Sequence, residues 1–154
     1  MTKYAAVTGH TSSLGASFYK LLAEQGYEVH GFSRSNGYDL RDYSQVTRMI
    51  SQVKGFDLFI NNAKPDYVQS QIVYRLVRDW DKGSIISIGS YATIESPLWT
   101  DTFLLEYLTQ KTALAHTHQV LTPIAKCKLT LLHPKHLGDD TDAYVQTLIR
   151  NLKL

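Results

Sequence analysis

Tyr107 and Lys111 stand four residues apart in a segment with helical character, so a phenol and an ammonium share one helical face. A free phenol, with a pKa of about 10, exchanges protons poorly near neutrality. A positive charge beside it stabilises phenolate and lowers that pKa, so such a pair could give and take a proton. A Tyr–Lys pair on a solvated helix would show the same spacing. The segment Thr8-Gly9-His10-Thr11-Ser12-Ser13-Leu14-Gly15 has a different potential. Its glycines let backbone approach a phosphate, and the helix that follows offers free N–H groups and the positive end of its dipole. Ala16 stands where a P-loop places lysine, so the motif is not a P-loop. A tight turn with one glycine packed on the helix is the plainer reading. Asn61-Asn62-Ala63 closes a short apolar run, where paired amides could also satisfy local backbone groups.

The elements that would carry these residues follow from the hydrophobic pattern. Strand-like runs at residues 3–7, 28–33, 56–61, 84–88 and 128–132 alternate with helical segments at 16–25, 44–53, 103–121 and 141–152, and with one that Pro65 opens and Trp80 ends. Residues 38–40 are a candidate for a further short strand. Val46, Met49, Ile50 and Val53 illustrate the helical period, falling at i, i+3, i+4 and i+7. Gly26 stops the first helix and Pro123 closes the long one. Strands alternating with helices require crossovers, hence a parallel sheet covered on both faces. Ligands of such sheets bind beyond the strand C-terminal ends, which is where the glycine loop, the Asn pair and Ser90 fall.

Composition narrows the class. A chain of 154 residues is about one domain, taken as 1–154, and its 44% hydrophobic content is that of a globular protein. No apolar run is long enough to cross a membrane. A net charge of +2 without a Lys/Arg run argues against nucleic acid. A single cysteine, Cys127, excludes an intramolecular disulfide and suits a reducing compartment, so a cytoplasmic protein is expected. His116 and His118 diverge on their helix, and His133 and His136 offer too few ligands, so no metal site is expected. Trp80 and Trp99 read as packing or interface residues and Cys127 as a buried filler.

In their order along the chain these motifs resemble those of the short-chain dehydrogenase/reductase family. Thr8, Gly9 and Gly15 match its T-G-x-x-x-G-x-G loop, with Ser13 at the middle glycine. Asn61-Asn62-Ala63 matches N-N-A-G, with Lys64 at the glycine. Gly83 to Ser90 matches the fifth-strand motif, and Tyr107 with Lys111 matches Y-x-x-x-K. His133-Pro134 resembles the P-G turn, with Lys135 at its glycine. The resemblance runs from about Lys3 to Thr141. It implies a Rossmann-type three-layer αβα sandwich, a doubly wound parallel sheet of order 3-2-1-4-5-6. It also implies hydride transfer between a nicotinamide cofactor and a carbonyl or alcohol substrate, with Ser90, Tyr107 and Lys111 catalytic. Cofactor contacts are implied for Gly9, Thr11, Ser12, Ser13, Leu14, Gly15, Asp39, Leu40, Asn61, Asn62, Ala63, Tyr107, Lys111 and Pro134, with Thr141 near the carboxamide. Where the family uses an acid to hold a ribose hydroxyl, this chain has Ser33 followed by Arg34, a pair suited to a 2′-phosphate, so NADP(H) is expected over NAD(H). An ordinary surface arginine is the alternative for Arg34, and a turn residue for Asp39.

Three departures bear on activity. Ser13 adds a side chain where the loop wants glycine. The stretch 64–82 lacks the Asn with which the family's helix completes a tetrad through a bound water. The segment after the last strand, where a substrate lid normally grows, is brief. A catalytically silent dinucleotide-binding sensor or scaffold is therefore the first rival reading, and a sugar-nucleotide epimerase or dehydratase, which the resemblance implies would use the same Ser/Tyr/Lys set, is the second. A homodimer or homotetramer is implied by the family's usual contact through the helices after its fourth and fifth strands.

Overall fold

The computed structural model describes residues 1–11, 13–95, 102–135 and 140–154. Five strands, β1 (Lys3–Thr8), β2 (Tyr27–Phe32), β3 (Leu58–Asn61), β4 (Ser84–Ile88) and β5 (Lys128–Leu132), form a parallel sheet in the order β2-β1-β3-β4-β5. Ala5 of β1, an interior strand, lies opposite Val29 on one side and Leu58 on the other. The connections carry α1 (Ser13–Glu24), α2 (Tyr43–Gln52), α3 (Val68–Asp79), α4 (Ala92–Glu95), α5 (Thr102–Leu121) and α6 (Thr141–Leu152).

The period of two along each strand sorts the core into two layers. Ala6, Phe59 and Ile85 face the side covered by α2, α3 and α5, where Met49, Ile72, Leu76 and Leu114 are buried. Val7, Ile60 and Ile86 face α1 and α6, meeting Phe18, Leu22, Val145 and Ile149. Residues 58–61 are buried throughout β3, as befits a strand covered on both faces. The layers and the parallel sheet are those expected.

The outermost strand expected at residues 38–40 does not form. Ser33 caps a single 3-10 turn, Arg34–Asn36, and Asn36 Oδ1 accepts from the Ser33 N–H at 2.9 Å. The Tyr38 N–H returns to Ser33 O at 2.9 Å, the Asp39 N–H to Gln45 Oε1 at 2.5 Å and the Arg41 N–H to Asp39 Oδ1 at 3.0 Å. Local turns thus take up donors that a ladder with β2 would need. Tyr38 stacks edge-on against Phe32 at 4.8 Å between centroids, beneath the Arg48 guanidinium, instead of extending the sheet. The sheet therefore has five strands with β2 at its edge. The short α4 was not evident in the sequence, and α1 begins at Ser13 rather than at residue 16.

Candidate active site

The loop after β1 is anchored by side chains of its own motifs. Thr8, fully buried, donates through Oγ1 to Ile60 O at 3.3 Å and accepts from the N–H groups of Asn62 at 2.9 Å and Ala63 at 3.0 Å. Asn62 Nδ2 donates back to Thr8 O at 3.2 Å and Gly9 O at 3.3 Å. Thus Asn62 serves as a prop for the loop, joining the ends of β1 and β3. A Cβ on Gly15 would stand 1.9 Å from Gly9 O, so α1 can begin this close to the loop only with glycine there. Ser13, the first residue of α1, adopts φ +49°, a left-handed conformation that costs an L-residue about 1–2 kcal/mol. The backbone asks for glycine at the position where the motif departs from it.

Two adjoining cavities run along the strand ends and share Gly9, Ala63 and Lys64. The first, of about 290 Å³, is lined by Phe32, Ser33, Arg34, Asp39 and Leu40 among others, and by Arg41. Two guanidinium groups and a single carboxylate therefore share it, and Asp39 already accepts from the Arg41 N–H. The second, of about 570 Å³, is lined by Ser13 and Leu14 at the start of α1, by Asn62, and by Ser90, Tyr107, Lys111, Pro134 and Thr141.

Within the second cavity, Ser90 follows β4, and its Oγ accepts from the Ala92 N–H at 3.2 Å, which leaves the hydroxyl proton free to be donated. Ser90 O is held in turn by Thr93 Oγ1 at 2.8 Å and lies 3.3 Å from His133 Nδ1. On α5, Lys111 is only 3% exposed, and its Nζ lies 5.7 Å from the centre of the Tyr107 ring. That Nζ donates to Gln69 Oε1 at 2.7 Å and Ile88 O at 2.6 Å. Burial, and then the positive charge of Lys64, bring the Lys111 ammonium down to about 7. Lys64 Nζ stands 5.3 Å from the Tyr107 ring centre.

Gln69, buried on α3, is the residue that sequence reasoning missed. Its Nε2 donates to Asn61 O at 2.7 Å and Ile88 O at 3.0 Å, which aims Oε1 at Lys111. It thus stands beside Lys111 on the helix where the family's Asn is absent. Its signal was available: Gln69, Ile72, Val73 and Leu76 form one buried stripe, and a polar residue on such a stripe needs a partner. Asn61 is turned away from the cavities, its Nδ2 bound to Gln69 O at 2.9 Å and Ser87 Oγ at 3.0 Å. Thr11 is exposed and Gly15 buried, and neither is among the described residues that line these two cavities. Ser12, Trp99 and His136 lie outside the described residues. Arg41 lines the cleft although no motif singled it out, and Lys64 and Lys135 line it from positions where the resembled motifs have glycine.

The cleft combines a loop shaped for close backbone approach, a helix N-terminus, a basic pocket and a Ser/Tyr/Lys group. Such a set can hold an anionic dinucleotide and exchange a proton at a polarised oxygen. The sequence model of the NAD dependent epimerase/dehydratase family matches residues 5–77, somewhat under half of the chain. No curated protein sequence is similar enough to match. Among solved structures, a short chain dehydrogenase from Burkholderia cenocepacia in complex with NADP superposes with a TM-score of 0.80 at 16% identity, over 99% of this chain and 85% of that one. An oxidoreductase (short chain dehydrogenase/reductase) from Brucella ovis gives 0.76 at 17% identity, over 95% and 91%. The 3-ketoacyl-(acyl-carrier-protein) reductase from Brucella melitensis, complexed with NADH, gives 0.69 at 16% identity, over 86% and 75%. Likeness at such identities is likeness of fold, and the fold of this chain is that of the short-chain dehydrogenases/reductases.

Proposed function

We propose that the protein is a short member of the short-chain dehydrogenase/reductase family, an NADP(H)-dependent oxidoreductase acting on a carbonyl or alcohol. The observation that carries this reading is the single cavity in which Ser90, Tyr107 and Lys111 meet the loop at the start of α1. The residues fit the cofactor. Gly9 and Gly15 keep the loop low, Ser13 and Leu14 open α1 toward the cavity, and Arg34 and Arg41 supply the adjoining pocket with donors suited to a 2′-phosphate. Asp39 and Leu40 line the same pocket and suit the adenine end.

The nicotinamide, when bound, supplies or accepts hydride at the substrate carbon. Ser90, its Oγ already accepting from Ala92, donates a hydrogen bond to the carbonyl oxygen and polarises it, keeping its own proton. Tyr107 delivers a proton to that oxygen in reduction and removes it in oxidation. Lys111, as an ammonium, stabilises the phenolate that Tyr107 leaves behind. Gln69 and Ile88 O fix the ammonium, so its charge needs no rearrangement during the reaction.

The test is a fluorescence titration with NADPH and NADH side by side, on the native protein and on Arg34→Ala, followed by a carbonyl-substrate screen. NADPH is expected to bind more tightly, with the preference collapsing in Arg34→Ala. Tyr107→Phe is expected to lose about 10²–10⁴ of the turnover while still binding NADPH. Binding without turnover of any carbonyl would favour the silent sensor reading, which the strained Ser13 backbone also supports.

A further inference from the structure

The cavity that holds Ser90 and Tyr107 is lined by three ammonium groups, those of Lys64, Lys111 and Lys135, and by no carboxylate among its described lining residues. The ion pairs among the described residues are Lys20–Asp142, His30–Glu28 and Arg78–Asp79, so none of the three lysines has an acidic partner there. Lys111 is accounted for by its bonds to Gln69 and Ile88. Lys64 and Lys135 are not. Both are exposed, and each stands over an aromatic ring beside the reacting groups. Lys64 Nζ is 5.3 Å from the centre of Tyr107, and Lys135 Nζ is 4.1 Å from the centre of Tyr91, the neighbour of Ser90 in the chain. Like charges gathered in one cleft repel, and Lys64 already depresses the Lys111 ammonium. A concave site with one sign of charge concentrates ions of the other. Lys64 and Lys135 also occupy two of the three places, Ser13 being the other, where the matching motifs would have glycine, so these ammonium groups belong to this chain and not to the motifs.

We propose that the substrate is a small carbonyl compound bearing an anionic group, a carboxylate or a phosphate, which Lys64 and Lys135 neutralise while its carbonyl faces Ser90 and Tyr107. The inference rests on the oxidoreductase reading and adds the substrate class to it. The competing claim on these charges is the cofactor's own pyrophosphate, which the start of α1 suits. Lys135 stands instead over Tyr91, next to Ser90.

The experiment is calorimetric titration of the NADPH-loaded protein at low ionic strength with oxamate and glycerol 3-phosphate, each beside its uncharged counterpart, oxamide and glycerol. At least one charged probe should bind about tenfold or more tighter than its neutral partner, and the one that binds identifies carboxylate or phosphate. Lys64→Met and Lys135→Met should each weaken that probe by about five- to tenfold, and Lys135→Met, whose side chain does not line the pocket of Arg34 and Asp39, should leave the NADPH affinity within about twofold. Equal binding of charged and neutral probes, or binding of neither, overturns the proposal. So does a loss that falls on NADPH in Lys135→Met instead of on the probe. Failure of the native protein to bind NADPH at all refutes the underlying oxidoreductase reading, and the proposal with it, before any probe is added.

Discussion

Ser13 starts α1 with φ +49°, and that single torsion connects the departure from the glycine motif to a physical cost. Ser13→Gly removes a left-handed L-residue from the loop but adds chain entropy to the unfolded state. A net gain of roughly 0.5–1 kcal/mol is expected, read as a higher urea midpoint at unchanged slope, together with tighter NADPH binding. Gly15→Ala should do the opposite, because its Cβ would fall 1.9 Å from Gly9 O, which is backbone and cannot swing aside. Unchanged stability and affinity in both variants would mean that the loop relaxes freely and is not built to hold a phosphate. The need for glycine at 13 was legible from the motif alone. The role of Asn62 was not, since its partners Thr8 O and Gly9 O lie more than fifty positions earlier in the chain.

At the scale of elements, Gln69 is where α3, β3, β4 and α5 meet, through Asn61 O, Ile88 O and Lys111 Nζ. Gln69→Leu removes the acceptor that favours the ammonium and leaves burial and Lys64 to act against it. The Lys111 pKa should then fall below its value of about 7. Because the proposed role of Tyr107 needs Lys111 charged, the alkaline limb of kcat/KM should move to lower pH in Gln69→Leu, whereas Gln69→Glu should move it to higher pH. A purely structural role would lower the rate in both variants and leave the limb where it was. The helices were legible wherever an apolar stripe was long, as in α2 with Val46, Met49 and Ile50 and in α6 with Val145 and Ile149. Residues 38–40 were misleading because Tyr38 is a good strand former, and only its neighbours show that the N–H groups of 38, 39 and 41 have nearer acceptors. α4 spans four residues, too few for any period to register. Arg41 and Lys135 entered the cleft through loop paths that no periodicity encodes.

For the whole molecule, two buried bases on α5 set how stability depends on pH. His118 is 5% exposed with no partner for Nε2 among the described residues, and burial, then the charge of His133, lower its pKa from 6.5 to about 4. Lys111 is lowered from 10.5 to about 7. In both cases the unfolded chain binds a proton that the folded chain refuses, so stability rises with pH between the two values. The contribution of His118 is complete above 6.5 and disappears as the pH falls to about 4. That of Lys111 grows from about 7 up to 10.5. Asp42 and Asp142, held below 3.8, act only in more acidic solution, while burial also lowers the pKa of His10 from 6.5 and adds to the His118 step. Urea midpoints measured from pH 4 to pH 10 should therefore climb in two separate steps, the lower one worth at most roughly 3 kcal/mol. His118→Leu should shrink the step between pH 4 and 6.5, leaving the smaller part due to His10, and keep the upper one, and Lys111→Met should do the reverse. His118 makes no side-chain hydrogen bond through Nε2 that leucine would forfeit, so the first variant should be as stable as the native protein near neutrality. A single step, or the same two steps in His118→Leu, would show that the ring titrates in the folded protein and that α5 does not seal it from water.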